Sequence, residues 1–385
     1  MKRTFLMIAS MLFATAAFAQ GGGARPQQPQ RMMPAAPQVF DTAAHKIRVV
    51  KVAEGLSFPY GMAFLPDGGI LLTELEGRLR VVRDGKLQPE PVSGTPAVYY
   101  RPGGAGLMDV VLHPNFAQNR AIYLVYNKQQ GDPQNATMAL SRGTFDGKQI
   151  TGLTEIFVAD AWATTTGQLS ARLTFGRDGL MYMAVSVRGQ DRAQKLTDHA
   201  GKILRLREDG TPAPGNPFAG RADAKPEIFT YGHRNMHGIV VHPETGAVWA
   251  NEHGDEVNIL KPGGNYGWPF LSIAGQGGGT PLALVPEGAK LEAPYIGFMP
   301  ALNVGGMTFY TGNRFPRWKN SLLLAGLDTQ QVHRVAFNKD LPWVRENLFT
   351  QIGQRVRDVR EGRDGFVYFV TDEPNGHLMR IEPAE

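Results

Sequence analysis

The chain has 385 residues, with 40 Lys and Arg against 35 Asp and Glu, a formal net charge of +5 and no cysteine. That excess is too small to mark a nucleic-acid binder, and no basic run with interleaved aromatics occurs. Zero cysteine excludes thiol catalysis, thiolate metal sites and disulfides, so the core alone must hold the fold, and the length suffices for a large one.

Lys2 and Arg3 precede an apolar run from Phe5 to Phe18, closed by Ala17-Phe18-Ala19. This is the pattern of a secretory signal peptide over residues 1–19, cleaved after Ala19. The run is too short and wrongly flanked for a membrane span. Its removal takes away two cations and no acid, leaving a formal charge of +3. Residues 20–39, rich in Gly, Pro and Gln, read as a disordered tether. The folded domain is expected over residues 40–385 as one unit, because no second linker of that kind interrupts it. The expected setting is periplasmic or secreted, with no membrane span and no nucleic-acid partner.

Within the domain one phrase recurs: a short apolar strand, a Pro/Asp/Gly-type turn and a second apolar strand. It occupies Gly61–Glu74, Met108–Asn127, Ala171–Ser186, Gly238–Glu252, Gly306–Gly326 and Arg357–Asp372. The spacing of roughly 50 to 70 residues suits a four-stranded blade with loop insertions. Helical periodicity is weak, and 46 Gly with 27 Pro disfavour long helices. Six copies predict an all-β fold, a six-bladed β-propeller, over the alternative of an open β-sandwich. In a propeller, loops from different blades converge on one face, so distant motifs share a site.

The densest polar segment is Tyr231 to Pro269, in which Arg234, Asn235, His237, Glu252 and His253 flank a β-prone hairpin turned at Pro243–Gly246. Such residues sit where loops on a rigid scaffold carry function. His233 and His237 have the spacing of a zinc-binding helix, but Gly232, Asn235 and Gly238 argue against a helix there.

Taken together, the motifs resemble one family, the soluble quinoprotein aldose sugar dehydrogenases of the glucose/sorbosone dehydrogenase group. The carriers are Phe58-Pro-Tyr-Gly-Met62 with Leu65-Pro-Asp-Gly68, Gly106-Leu-Met-Asp-Val110 with His113-Pro114, and Arg172-Leu173 with Gly201-Lys-Ile-Leu-Arg205. Most specific are Tyr231-Gly-His-Arg-Asn235, Glu252-His-Gly254, Asn265-Tyr-Gly-Trp-Pro269 and Arg355-Val-Arg-Asp358. The resemblance implies a six-bladed propeller that oxidises the anomeric carbon of aldoses to lactones, using pyrroloquinoline quinone (PQQ) with calcium and an external electron acceptor. It implies that Arg355 and Arg357 bind PQQ carboxylates, a task suited to guanidinium forks. Arg234 and Asn235 would donate to the quinone, stabilising negative charge as hydride arrives.

The departures are specific. The family's general base, a His, falls at Gln168, and its carboxylate partner at Val187. An amide does not take a proton near neutral pH. The family Gln before Gly-Gly-Leu falls at Gly104, and its blade-five lysine at Asp328. The calcium loop after Glu-His-Gly is shortened, so Gly254 runs straight into Asp255 and Glu256, the remaining candidates for metal. His199, His237 and His253 are candidate replacement bases, with His237 favoured because it follows Asn235 by two residues. Two other functions fit the same scaffold: a metal-dependent lactone hydrolase using Glu252, Asp255 and Glu256, and a non-catalytic sugar- or partner-binding propeller.

Overall fold

In the computed structural model, the residues described are 37–131, 135–164, 169–187, 190–273, 284–349 and 352–384. The leader, most of the tether and Gln168 lie outside them.

Six antiparallel sheets are arranged in a ring. Blade 1 consists of strands Pro59–Phe64, Ile70–Glu74, Leu79–Arg83 and Lys86–Leu87, and blade 2 of Leu107–Leu112, Ala121–Gln129, Ala136–Phe145 and Ile150–Val158. Blade 3 consists of Ala171–Phe175, Met181–Val185, Lys202–Leu206 and Ile228–Tyr231, and blade 4 of Met236–Val241, Val248–Glu252, Glu256–Ile259 and Ile296–Gly297. Blade 5 consists of Val304–Phe309, Leu322–Gly326, Gln331–Asn338 and Leu341–Asn347. Blade 6 begins with Val356–Glu361, Val367–Thr371 and Gly376–Pro383, and is completed from the far end of the sequence by Lys46–Leu56 and Gln38–Asp41. The innermost strand of blade 6 packs beside that of blade 1, closing the ring.

The six repeated phrases are the two inner strands of the six blades. Their turns form for a local reason. In blades 1, 3 and 6 an Asp carboxylate accepts from the amide two residues on: Gly69 N at 3.0 Å from Asp67, Leu180 N at 3.1 Å from Asp178, and Phe366 N at 3.1 Å from Asp364. Between Asp67 and Gly69, Gly68 adopts φ +86° at no steric cost.

Among the described residues the apolar core is divided rather than central. Alternate side chains along each strand face opposite neighbours, and six apolar clusters fill the six gaps between blades. In blade 4, Val248 and Ala250 pack with Ala184 and Ile203 of blade 3, while Trp249 between them packs with Met307 and Leu322 of blade 5. The closing gap between blades 6 and 1 is filled by Leu56, Val370 and Leu378 against Met62 and Leu72. Packing of this kind, without disulfides, fixes the radial position of every inner strand and of the loops they carry.

Candidate functional site

The axis of the ring is polar. Inner strands bring Tyr60, Asp109, Arg172, His237 and Asp358 to it. Arg172 is fully buried; its Nη1 lies 3.4 Å from Asp109 Oδ1 and 3.6 Å from Asp358 Oδ2. Its Nε donates to His237 O at 2.9 Å and its Nη2 to Tyr60 O at 3.0 Å. Arg360 adds a second guanidinium, 3.1 Å from Asp358. Buried charges persist only when paired and hydrogen-bonded, and here two arginines answer two aspartates. Gly306 gives the space: a Cβ there would lie 1.7 Å from Asp358 Oδ1. This ionic plug, with its two carbonyl acceptors, ties five blades together.

At the channel mouth a cavity of about 380 Å³ receives residues from all six blades or the turns that lead into them. Its walls are Tyr60; the turn Arg101–Gly104; Leu169 and Ser170; Asn235, His237 and His253; Asn303 and Leu327; and Arg355 and Arg357. Three guanidiniums line it and, among the described residues, no carboxylate does.

Arg355 and Arg357 reach it together although they come from the last blade and Asn235 from the fourth. Arg357 is buried, its guanidinium forked onto Asp372 with Nε to Oδ1 3.2 Å and Nη2 to Oδ2 2.7 Å. Burial pushes the Asp372 carboxyl up, but Arg357 and Arg355 outweigh it and hold the group below its ordinary range. Arg355 is bound between Asp372 at 3.1 Å and Asp328 at 2.6 Å. Asp328 also accepts from Asn303 Nδ2 at 2.8 Å. The acidic residue at the family's lysine position thus serves as a counter-ion to Arg355.

His237 is held on both ring nitrogens: Asn235 Nδ2 lies 2.8 Å from Nε2, and the Tyr60 hydroxyl 3.3 Å from Nδ1. Asn235 is fixed in turn by Ser170 Oγ, whose single proton is shared between Asn235 Oδ1 and Met236 O, the latter at 2.8 Å. Burial lowers the His237 pKa well below its ordinary 6.5, aided by His253, Arg357 and Arg172. Burial with Arg357 and Arg234 takes His253 down to about 3. Both rings are neutral near pH 7.

Other expected site residues lie elsewhere. Arg234 is not among the residues lining the cavity; its guanidinium sits over the Trp268 ring, 4.6 Å from the centroid, while its amide donates to Glu252 Oε2 at 2.5 Å. The aromatic face of the Asn265–Pro269 motif thus draws away the cation expected at the quinone. His199 is buried outside the cavity, its Nδ1 2.9 Å from the Asp160 amide and its Nε2 3.2 Å from Glu227, a structural pairing. His233 stacks on Tyr266 and binds Glu252 Oε1 at 3.0 Å and Thr230 Oγ1 at 2.8 Å, so it shares no metal with His237. Val187 N donates to Arg234 O at 2.7 Å, and its side chain has no acid-base capacity.

A calcium set does not assemble at Gly254, Asp255 and Glu256. Asp255 Oδ1 accepts from Leu302 N at 3.1 Å, which turns this carboxylate to the loop before blade 5. Asn258 Nδ2 bridges Glu252 Oε1 and Glu256 Oε1 at 3.0 and 3.1 Å. Burial, with Glu252 beside it, raises the Glu256 carboxyl above its ordinary range. Among the described residues no three His, Asp or Glu side chains gather as metal ligands. The shortened loop directs these carboxylates into the blade, and the hydrolase reading loses its metal donors with them.

Several wall residues escaped sequence reasoning, Tyr60 and Arg101 among them. Tyr60 lies within a quoted motif but gave no chemical signal; its ring is sandwiched between Arg172 and Arg357, 4.6 and 4.7 Å from centroid to guanidinium carbon. Arg101 precedes Pro-Gly-Gly, a turn signal that masks its place on the wall.

Comparison with known proteins agrees with this geometry. A family model described as Glucose / Sorbosone dehydrogenase matches residues 56–380. The chain is 36% identical over 347 residues to the aldose sugar dehydrogenase YliI of Escherichia coli (strain K12), over 88% of this chain and 93% of that protein. The apo-form structure of the soluble aldose sugar dehydrogenase from Escherichia coli aligns with a TM-score of 0.80 at 33% identity, over 88% of this chain and 100% of that one. The PQQ-bound form of an aldose sugar dehydrogenase from Streptomyces coelicolor, 23% identical, shares the fold with a TM-score of 0.68 over 91% and 100% of the two chains. With its model matched across all six blades, the chain belongs to the glucose/sorbosone dehydrogenase family.

Proposed function

We propose that this propeller oxidises the anomeric carbon of an aldose to the lactone, with PQQ in the cavity and an external acceptor taking the electrons. The observation that carries the reading is the meeting of Arg355, Arg357, Asn235 and His237 on one cavity of about 380 Å³ whose described walls hold three guanidiniums and no carboxylate. A polyanionic, planar cofactor fits that lining: guanidinium forks suit its carboxylates and a fixed amide suits a carbonyl. The neighbouring relative from Streptomyces coelicolor is a PQQ-bound aldose sugar dehydrogenase. When bound, PQQ supplies the quinone that accepts the hydride from C1.

The chain's own residues supply binding, orientation and proton handling. Arg355 and Arg357 orient the anionic edge, with Asp372 keeping both guanidiniums in place. Asn235, fixed by Ser170, would offer its amide to the quinone. The hydroxyl proton of C1 needs an acceptor, and His237 is the neutral imidazole on the wall. Its basicity is poor: burial and three arginines disfavour the imidazolium, and both nitrogens already have partners. Slow turnover follows. Calcium enters no step, because the Gly254–Glu256 segment does not present a ligand set. Export to the periplasm or beyond, through the leader at residues 1–19, belongs to the same proposal.

The test is titration of purified apo-protein with PQQ, followed by absorbance, then dye reduction with a panel of aldoses. PQQ-dependent dye reduction supports the reading. Absence of any PQQ binding turns it toward a non-catalytic propeller.

A further inference from the structure

Tyr60, in the first strand of blade 1, is 2% exposed and stands on the cavity wall. Its hydroxyl ends a hydrogen-bonded chain that begins in blade 5 and whose direction is fixed link by link. The Val304 carbonyl can only accept, so His253 carries its proton on Nε2, 3.0 Å away. His253 is neutral, which leaves a lone pair on Nδ1. The Asn235 side-chain atom 3.4 Å from that lone pair is therefore the amide nitrogen, and the same nitrogen lies 2.8 Å from His237 Nε2. Asn235 Oδ1 faces the Ser170 hydroxyl, which agrees with that orientation. An amide donating to His237 Nε2 requires the lone pair there, so the proton of this neutral ring is on Nδ1. Nδ1 in turn donates to Tyr60 Oη at 3.3 Å. The hydroxyl thus accepts from its one hydrogen-bond partner among the described residues, and its own proton is left for the cavity. The ring cannot swing away, because Arg172 and Arg357 lie against its faces. Burial raises the Tyr60 pKa above its ordinary 10 against the pull of Arg357 and Arg172, so the group stays a donor at neutral pH.

We propose that Tyr60 donates a hydrogen bond from its hydroxyl to an oxygen of the molecule that occupies the cavity. The guanidiniums on the wall select charge; a neutral phenol clamped between two of them selects an oxygen by its position. The same chain leaves His237 one lone pair, at Nε2 beside Asn235, so the two residues have separate tasks: Tyr60 gives a proton to a hydrogen bond, and His237 can accept one only at Nε2. The proposal rests on the dehydrogenase reading only so far as the occupant is PQQ or an aldose. PQQ offers carbonyl and carboxylate oxygens and an aldose offers hydroxyl and ring oxygens. The shared chemistry is an acceptor oxygen, and the test separates the two sources.

The probes are PQQ and glucose, each titrated into the full apo-protein by isothermal calorimetry. Tyr60→Phe keeps the ring between its two guanidiniums and removes only the hydroxyl. It is expected to weaken the probe that meets the hydroxyl about three- to tenfold, the scale of one neutral hydrogen bond. The bond to His237 is lost in free and loaded protein alike, so it lowers the melting temperature without entering the affinity. Loss confined to PQQ assigns the contact to the cofactor; loss confined to glucose assigns it to the sugar. Where Tyr60→Phe does not fold, the parent carries the test. Nitrogen NMR of isotope-labelled histidine, with the His237 signals assigned through His237→Gln, is expected to show the proton on Nδ1. A proton on Nε2 would turn the Tyr60 hydroxyl inward to His237 and overturn the proposal. Equal affinities in parent and Tyr60→Phe for both probes overturn it too, as does a parent that binds neither. PQQ binding with PQQ-dependent dye reduction, both unchanged in Tyr60→Phe along with glucose affinity, sinks Tyr60 and leaves the dehydrogenase reading standing. Tyr60-dependent binding of glucose without any binding of PQQ does the reverse.

Discussion

His253 lies nearly flat against His237, with ring centroids 4.0 Å apart and planes 22° from parallel. Two buried imidazoles at that distance cannot both be charged. The stack is held from both ends: His253 Nε2 lies 3.0 Å from Val304 O, and His237 Nε2 faces Asn235. It works as a neutral floor to a cationic cavity, and it exists because blade 4 carries His237 in its first strand and His253 just after its second.

That floor makes the fold sensitive to acid. His253 titrates at about 3 in the folded chain and at its ordinary value near 6.5 when unfolded. A depressed histidine pKa means the unfolded state binds the proton more readily. The contribution to stability is therefore complete above about 6.5 and is lost as pH falls from there toward about 3. His253→Gln is expected to flatten the fall in melting temperature between pH 7.5 and pH 5 relative to the parent. Parallel pH profiles of the two proteins would refute the assignment.

Asp372 holds two guanidiniums, one of them buried, and removing one partner of a buried pair leaves an uncompensated charge. Asp372→Asn is expected to destabilise the protein by about 3–5 kcal/mol at pH 7. Added sulfate should recover part of that loss by taking the vacated forks. Urea unfolding with and without sulfate reads both effects, and a variant as stable as the parent would show the pair to be dispensable.

The ring was legible in the sequence because its evidence is local. Asp67-Gly68 and Asp178-Gly179 mark turns, alternation marks the flanking strands, and six such hairpins imply six blades. The closure of blade 6 was not legible: Val49 pairs with Ile381, and no local pattern links them. The site divides in the same way. Arg355 and Arg357 are two apart on one stretch, which suggested a shared wall; they reach it from the turn before the strand and from an irregularity at its start. Arg234 leaves that wall because Trp268 offers a ring, and Asp328 turns from an apparent obstacle into a counter-ion because Arg355 is within reach. Contacts between side chains from different blades set both outcomes, and spacing along the chain does not encode them.

Glu373 gives a pH effect of opposite sign. Its Oε2 is buried without a hydrogen-bond partner among the described residues, and burial, with Asp372 adding to it, raises the pKa to about 7. A raised carboxyl pKa stabilises the fold fully below about 4.5, and the contribution disappears as pH rises to about 7. Glu373→Gln should match the parent in melting temperature near pH 4.5 and exceed it at pH 8. Equal melting temperatures at pH 8 would show that the carboxyl is ionised at no cost.

The proposed base makes the sharpest kinetic claim. His237 is the neutral imidazole next to Asn235 on the cavity wall, and the resemblance puts the family's base position at Gln168, an amide. If His237 takes the C1 hydroxyl proton, His237→Ala removes a contribution of about 10²- to 10⁴-fold from an already slow rate, while PQQ affinity, set by arginine contacts, changes little. Because the His237 pKa is well below 6.5, kcat in the parent should not vary through ionisation of this group between pH 6.5 and 8. Gln168→His alone should restore little, because Val187 cannot orient a new ring; Gln168→His with Val187→Asp should raise the rate above the parent. Stopped-flow dye reduction with PQQ separates binding from chemistry in each variant. A His237→Ala protein that keeps the parent's kcat would show that the proton leaves by another route.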